Sequence, residues 1–129
     1  MTDLPAVLAW LAERWPERCQ MWNSTLAHLT FGGDWSATYV TTSPRAEAAT
    51  EYLIREIIEG QRTETTFWRL TLRMRNQPGD GWDAHIDVME LEDNYQQYVI
   101  AARHTAKAPT PLLALANALR GAVVENGPT

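Results

Sequence analysis

Two runs of alternation constrain this chain more than any other feature. In TFWRLTLRMR, Trp68, Leu70, Leu72 and Met74 alternate with Arg69, Thr71, Arg73 and Arg75. In WDAHIDVM, Trp82, Ala84, Ile86 and Val88 alternate with Asp83, His85 and Asp87. A period of two puts one set on each face of a strand, one dry and one wet. The turn residues of NQPGDG between the runs predict a hairpin. Pairing must join residues of one face, so the expected register sets Arg73 opposite Asp83 and Arg69 opposite Asp87. Each such exposed pair contributes only about 0.2–1 kcal/mol, enough to favour a register without implying a site.

A turn at EDN leads into YQQYVIAARHTA, a third strand of the same meander, with Tyr98, Ile100 and Ala102 expected on one face although Val99 and Ala101 are apolar too. Helices flank this meander. In SPRAEAATEYLIREIIEG, Ser43 is a helix cap, Pro44 suits the first turn and Gly60 follows the end. Its buried stripe is Ala46, Ala49, Leu53 and Ile57, flanked by Ile54 and Ile58, with Glu51 and Arg55 paired on the wet side. In the last helix Thr110 caps, Pro111 follows, and Leu112, Leu115, Ala116, Leu119 and Val123 run down one side until Gly127 and Pro128. The first helix buries Leu4, Val7, Leu8, Leu11 and Trp15, is capped by Asp3 with Pro5 in its first turn, and stops at Pro16. Residues 19–33 show no clean period, FGGD marks a turn, and WSATYVTT reads as a strand.

The order is therefore α-(β)-α-β-β-β-α: an α+β fold with a largely antiparallel sheet of three to four strands covered by helices. Its 129 residues fit one domain, and 45% hydrophobic with 21% charged residues exclude a disordered chain. The stretch 45–124 shares its element order with double-stranded-RNA-binding domains, but its last helix lacks their basic residues.

The helix PRAEAATEYLIREIIEG, the Trp-led strand GWDAHIDV and above all ARHTAKAPTPLLALANALRGAV resemble the phage ABA sandwich domain, a family of small bacteriophage and prophage proteins. A similar threonine-proline, leucine- and alanine-rich helix closes the chain in that family. The resemblance covers the last two thirds of the sequence and implies helices on both sides of a sheet. It brings no activity and no catalytic residue. Outward Arg69, Arg73, Asp83 and Asp87 are too polar for a sheet covered on both faces, so an αβα sandwich and a two-layer fold both stay open.

Charge and chemistry narrow the function classes. A net charge of −5 opposes general affinity for phosphate backbones, so no direct nucleic-acid binding is expected. A single cysteine, Cys19, cannot form an internal disulfide, which fits a reducing bacterial cytoplasm. The N-terminal apolar positions are broken by Glu13 and Arg14, so neither a signal peptide nor a membrane span is expected. No phosphate loop, serine elbow or carboxylate dyad occurs, and Cys19 reads as a structural thiol. The chain is therefore read as a non-enzyme without cofactor or metal.

The charge pattern carries the functional expectation. From Asn76 to Ala102 there is no Lys or Arg, whereas Asp80, Asp83, Asp87, Glu90, Glu92 and Asp93 give an acidic edge suited to a basic partner. Trp15, Trp68 and Trp82 fall on inner faces, which leaves Trp10 and Trp22 as candidate aromatic anchors. The expected function is a small phage or prophage accessory protein that binds a host protein, including one used in defence. Two alternatives stand beside it. One is a metal binder or metal-dependent enzyme at Asp83, His85 and Asp87, which alternate strand positions would set side by side. The other is a structural homo-oligomer formed through a sheet edge or the Trp10 face.

Overall fold

Helices need caps and strands need partners, and the computed structural model shows where this chain finds both. It describes residues 1–75, 79–94 and 97–126. The described chain forms two compact units, Met1–Glu56 and Ile57–Thr129.

The first unit begins with helix α1 (Leu4–Arg14), whose N-terminus is capped by Asp3 Oδ1 accepting from the Ala6 amide at 2.9 Å. Val7, Leu8, Leu11 and, just past the end, Trp15 are buried as the stripe required. Strands β1 (Cys19–Met21), β2 (Leu26–Phe31) and β3 (Trp35–Val40) form an antiparallel sheet in the order β1-β2-β3. The register sets Cys19, Ala27, Leu29, Phe31, Ala37 and Trp35 on one face, and Gln20, His28, Thr30, Thr38 and Ser36 on the other. At the β2–β3 turn Gly33 and Asp34 have φ of 77° and 63°, the left-handed region that a tight hairpin loop requires. Helix α2 (Pro44–Glu59) starts where Ser43 Oγ accepts from the Ala46 amide at 3.1 Å. It buries Ala46, Thr50, Leu53, Ile54, Ile57 and Ile58, and Arg55 donates to Glu51 at 3.4 Å on its exposed side.

The second unit holds β4 (Thr66–Met74), β5 (Trp82–Leu91), β6 (Tyr98–Ala108) and helix α3 (Pro111–Asn126). The sheet is antiparallel in the order β4-β5-β6, and the β4–β5 register sets Arg73 opposite Asp83 and Arg69 opposite Asp87 as the alternation required. Thr110 Oγ1 accepts from the Leu113 amide at 3.3 Å to cap α3, which lies mainly over β5 and β6 and touches β4 at its margin. The expected stop at Gly127 and Pro128 lies outside the described residues.

The α+β reading with antiparallel strands covered by helices holds, and the structure adds to it. Residues 19–31 carry two strands, so β3 joins them in a second three-stranded sheet, β1-β2-β3, instead of adding to the meander. Leu26 on the polar face and small Ala27 on the apolar one hide the alternation of β2, while β1 is too short to have a period. Three expectations of orientation are corrected. A register shift between Val88 and Met89 sets Ala102 opposite Val88 but Ile100 opposite Met89; such an irregularity interrupts the alternation, so Tyr98, Ile100 and Ala102 do not form one buried row, and Tyr98 and Ile100 are exposed. Met74, expected inward, is exposed on β4, an edge strand that α3 touches only slightly. Helix α3 is buried around most of its circumference rather than along one side, because Leu113, Ala114, Ala118 and Ala122 add to the expected stripe.

Candidate functional site

Two surfaces gather the side chains that could carry function, one in each unit. In the second unit the wet face of the hairpin becomes a three-strand ladder once β6 joins it. Its rows are Arg69–Asp87–Arg103, Thr71–His85–Thr105 and Arg73–Asp83–Lys107. Arg103 donates from Nε to Asp87 Oδ1 at 2.6 Å and from Nη2 to Oδ2 at 3.1 Å, while Arg69 Nη2 donates to Oδ2 at 2.9 Å. The Arg103 hydrogen bond is the main cause holding the Asp87 carboxyl below its ordinary range; burial opposes this and Arg69 assists it. The same bond raises the Arg103 guanidinium. Asp87 is 1% exposed although its sheet face is wet, because long arginine side chains on both flanking strands lie over a short one on the central strand. Asp83 is buried too, with Arg73 Nε and Arg75 Nε each 3.9 Å from its carboxylate.

These positions correct the expected acidic edge. Strand β5 is the central strand of its sheet, and Asp83 and Asp87 are buried and surrounded by cations. The other four acids stand apart from them. Asp80 and Asp93 lie in exposed turns, Glu90 is exposed on β5, and Glu92 is half-buried and accepts from Gln97 Nε2 at 2.8 Å. The alternative ligand set is not brought together either. Both Asp87 oxygens are taken by arginines, His85 Nδ1 lies 2.9 Å from Thr105 Oγ1, and no three His, Cys, Asp or Glu residues among the described residues are grouped to hold a metal ion.

Of the candidate anchors, Trp10 is half-buried edge-on against Trp15, at 5.4 Å between ring centroids. Trp22 is 56% exposed and stacked on His28 at 5.1 Å. Trp68 and Trp82 are half-buried. Cys19 is buried against α1, its Sγ 3.5 Å from the Leu8 carbonyl, and burial pushes its thiol up to about 12, far from the range of a working nucleophile.

The first unit holds a surface the sequence did not single out. An open groove of about 550 Å³ lies between the β2–β3 hairpin and α2, lined by Phe31, Trp35, Tyr39, Arg45, Ala48 and Tyr52 among others. Phe31 packs at 4.8 Å on Trp35 and edge-on at 5.7 Å on Tyr52, so one buried ring supports two that are 56% and 57% exposed. The groove is held by Glu56. Its carboxylate accepts from the Gly32 amide at 3.2 Å and from Arg18 Nη2 at 2.8 Å, and Arg18 Nε donates to the Thr30 carbonyl at 2.8 Å. The approach is close at Gly32, where a Cβ would lie 3.1 Å from Glu56 Oε2 and would push that carboxylate back by a few tenths of an ångström. Arg45 at the rim forms no hydrogen bond or ion pair among the described residues. The available signal was Tyr52, a large aromatic off the buried stripe of its helix.

No family model, curated protein or solved structure matches the chain. No helix among the described residues is long and apolar enough to cross a membrane.

Proposed function

We propose that this chain is a protein-binding module rather than an enzyme, and that the groove between the β2–β3 hairpin and α2 receives an aromatic or branched apolar side chain from a partner protein. The observation that carries the reading is the pair of exposed rings, Trp35 and Tyr52, held on the buried ring of Phe31. Large rings fixed in advance supply contact area at little entropic cost, which is why such residues anchor interfaces. Arg45 at the rim suits a partner carboxylate beside the anchor residue. The binding reading is also supported by how the reactive groups are used: Cys19 is buried, and His28 and His85 each lie 2.9 Å from a threonine hydroxyl. The resemblance to phage ABA sandwich domains adds a setting, an accessory factor made during infection that modulates a host protein.

Selection of displayed random peptides on the full chain tests this. Enriched sequences are expected to share an aromatic or branched apolar residue near an acidic one, and to lose at least tenfold in affinity for Trp35→Ala/Tyr52→Ala. Equal binding to that variant, or no enrichment, rejects the groove. A second reading, self-association along the edge strand β6, is favoured by the consecutive exposed residues Tyr98, Val99 and Ile100; a monomer by light scattering at high concentration rejects it.

A further inference from the structure

The wet face of the β4-β5-β6 sheet is a cationic platform on an acidic chain. Arg69, Arg73, Arg75, Arg103 and Lys107 stand around only two carboxylates, those of Asp83 and Asp87. They are five of the eleven Lys and Arg residues in a chain of net charge −5. The charge is unevenly committed along the face. At the Asp87 end both guanidiniums are hydrogen-bonded. At the Asp83 end Arg73 and Arg75 stand at 3.9 Å, beyond hydrogen-bond reach, and Lys107, opposite Asp83 in the register, forms no ion pair among the described residues. Asp83 Oδ1 is itself buried with no hydrogen-bond partner among the described residues. Asp83 thus draws two guanidiniums to one place without occupying their donors, and Lys107 stands next to it across the strand pair.

We infer that this face binds an extended acidic segment of a partner protein, with one carboxylate at Arg73, Arg75 and Lys107 and a second at Arg69 and Arg103. Arg73 stands four strand positions beyond Arg69, a span of about 13 Å, so an extended peptide matches it with acidic residues four positions apart. Guanidiniums receive carboxylates through paired N–H donors. A polynucleotide fits less well, because the net charge repels phosphates at a distance. Moreover, the row between the two cationic rows is Thr71, His85 and Thr105, a single half-buried imidazole with no Trp, Tyr or Phe beside it to stack successive bases.

The test titrates the full chain into a fluorescent Thr/Val peptide carrying Glu at two positions four apart, read by anisotropy. The comparisons are a Lys-substituted peptide and a single-stranded oligonucleotide of equal length. The Glu peptide is expected to bind at least tenfold tighter than either and to weaken as salt is added. Arg73→Glu/Lys107→Glu should lose at least tenfold, and Arg73→Gln/Lys107→Gln should fall between; neither side chain donates a hydrogen bond among the described residues, and circular dichroism checks that folding is kept. Equal affinity for the Glu and Lys peptides, tighter binding of the oligonucleotide, or unchanged binding by the charge-reversed chain overturns the inference. The Trp35→Ala/Tyr52→Ala chain should bind the Glu peptide as the parent does, which separates this surface from the groove.

Discussion

Arg103 Nε donates to Asp87 Oδ1 at 2.6 Å across β5 and β6, and Arg69 reaches the same carboxylate from the other side. One carboxylate on a central strand thereby ties both edge strands together. The Asp87 carboxyl is held below its ordinary 3.8, so its contribution to stability is fully present above the unfolded value and is lost as pH falls through the folded one. Asp87→Asn should lower stability by about 1–2 kcal/mol near neutral pH, a modest figure because both arginines are half-exposed and rehydrate. The variant should also lose part of the acid dependence below about pH 4. Urea denaturation of both proteins at neutral and acid pH checks this; parallel pH profiles count against it.

Gly81 has φ of 95°, and a Cβ there would lie 2.6 Å from the Ala108 carbonyl oxygen, a backbone atom that cannot swing away. Gly81→Ala should cost about 2 kcal/mol or more. Gly33, with φ of 77° and open space around it, should cost about 1 kcal/mol on the same change. Thermal melts of the two variants should keep this order.

Cys19 should resist thiol reagents in the native protein at about pH 8, because burial pushes its thiol up to about 12 and only the thiolate reacts. Labelling should become fast in denaturant. Rapid native labelling would show that α1 opens away from β1.

Leu119→Ala should destabilise by about 2–5 kcal/mol, since Leu119 is fully buried and its neighbours on α3 are buried as well. Arg120→Ala, one residue on and exposed, should change stability by less than about 0.5 kcal/mol. A chemical-denaturation pair is sufficient to compare them.

The readable parts of this fold are those where local chemistry and tertiary environment agree. The caps at Asp3, Ser43 and Thr110 and the prolines after them depend on the first turn of each helix alone, and the Arg–Asp register follows from alternation that any hairpin must respect. Strand β2 was not readable, because a central strand needs only partners, and Leu26 on its polar face obscures the period. The candidate site was legible in part. Asp83, His85 and Asp87 were placed on the right face, but the sign of that surface was misread: the neutralising Arg103 and Lys107 come from β6, sixteen or more residues beyond Asp87, and β4 supplies the rest. The groove was not legible, since it joins Phe31, Trp35 and Tyr52 from three elements.

The three helices and their starts, strands β3 to β6, the β4–β5 register and the lack of an internal disulfide could all be read from the chain alone, because each depends on neighbours along the chain or directly across a hairpin. It took the folded sheets to reveal that Asp83 and Asp87 lie buried among arginines from both neighbouring strands, and that two exposed rings rest on a buried third. Burial and net surface charge are sums over strands brought together from distant parts of the chain, and no local pattern contains that sum.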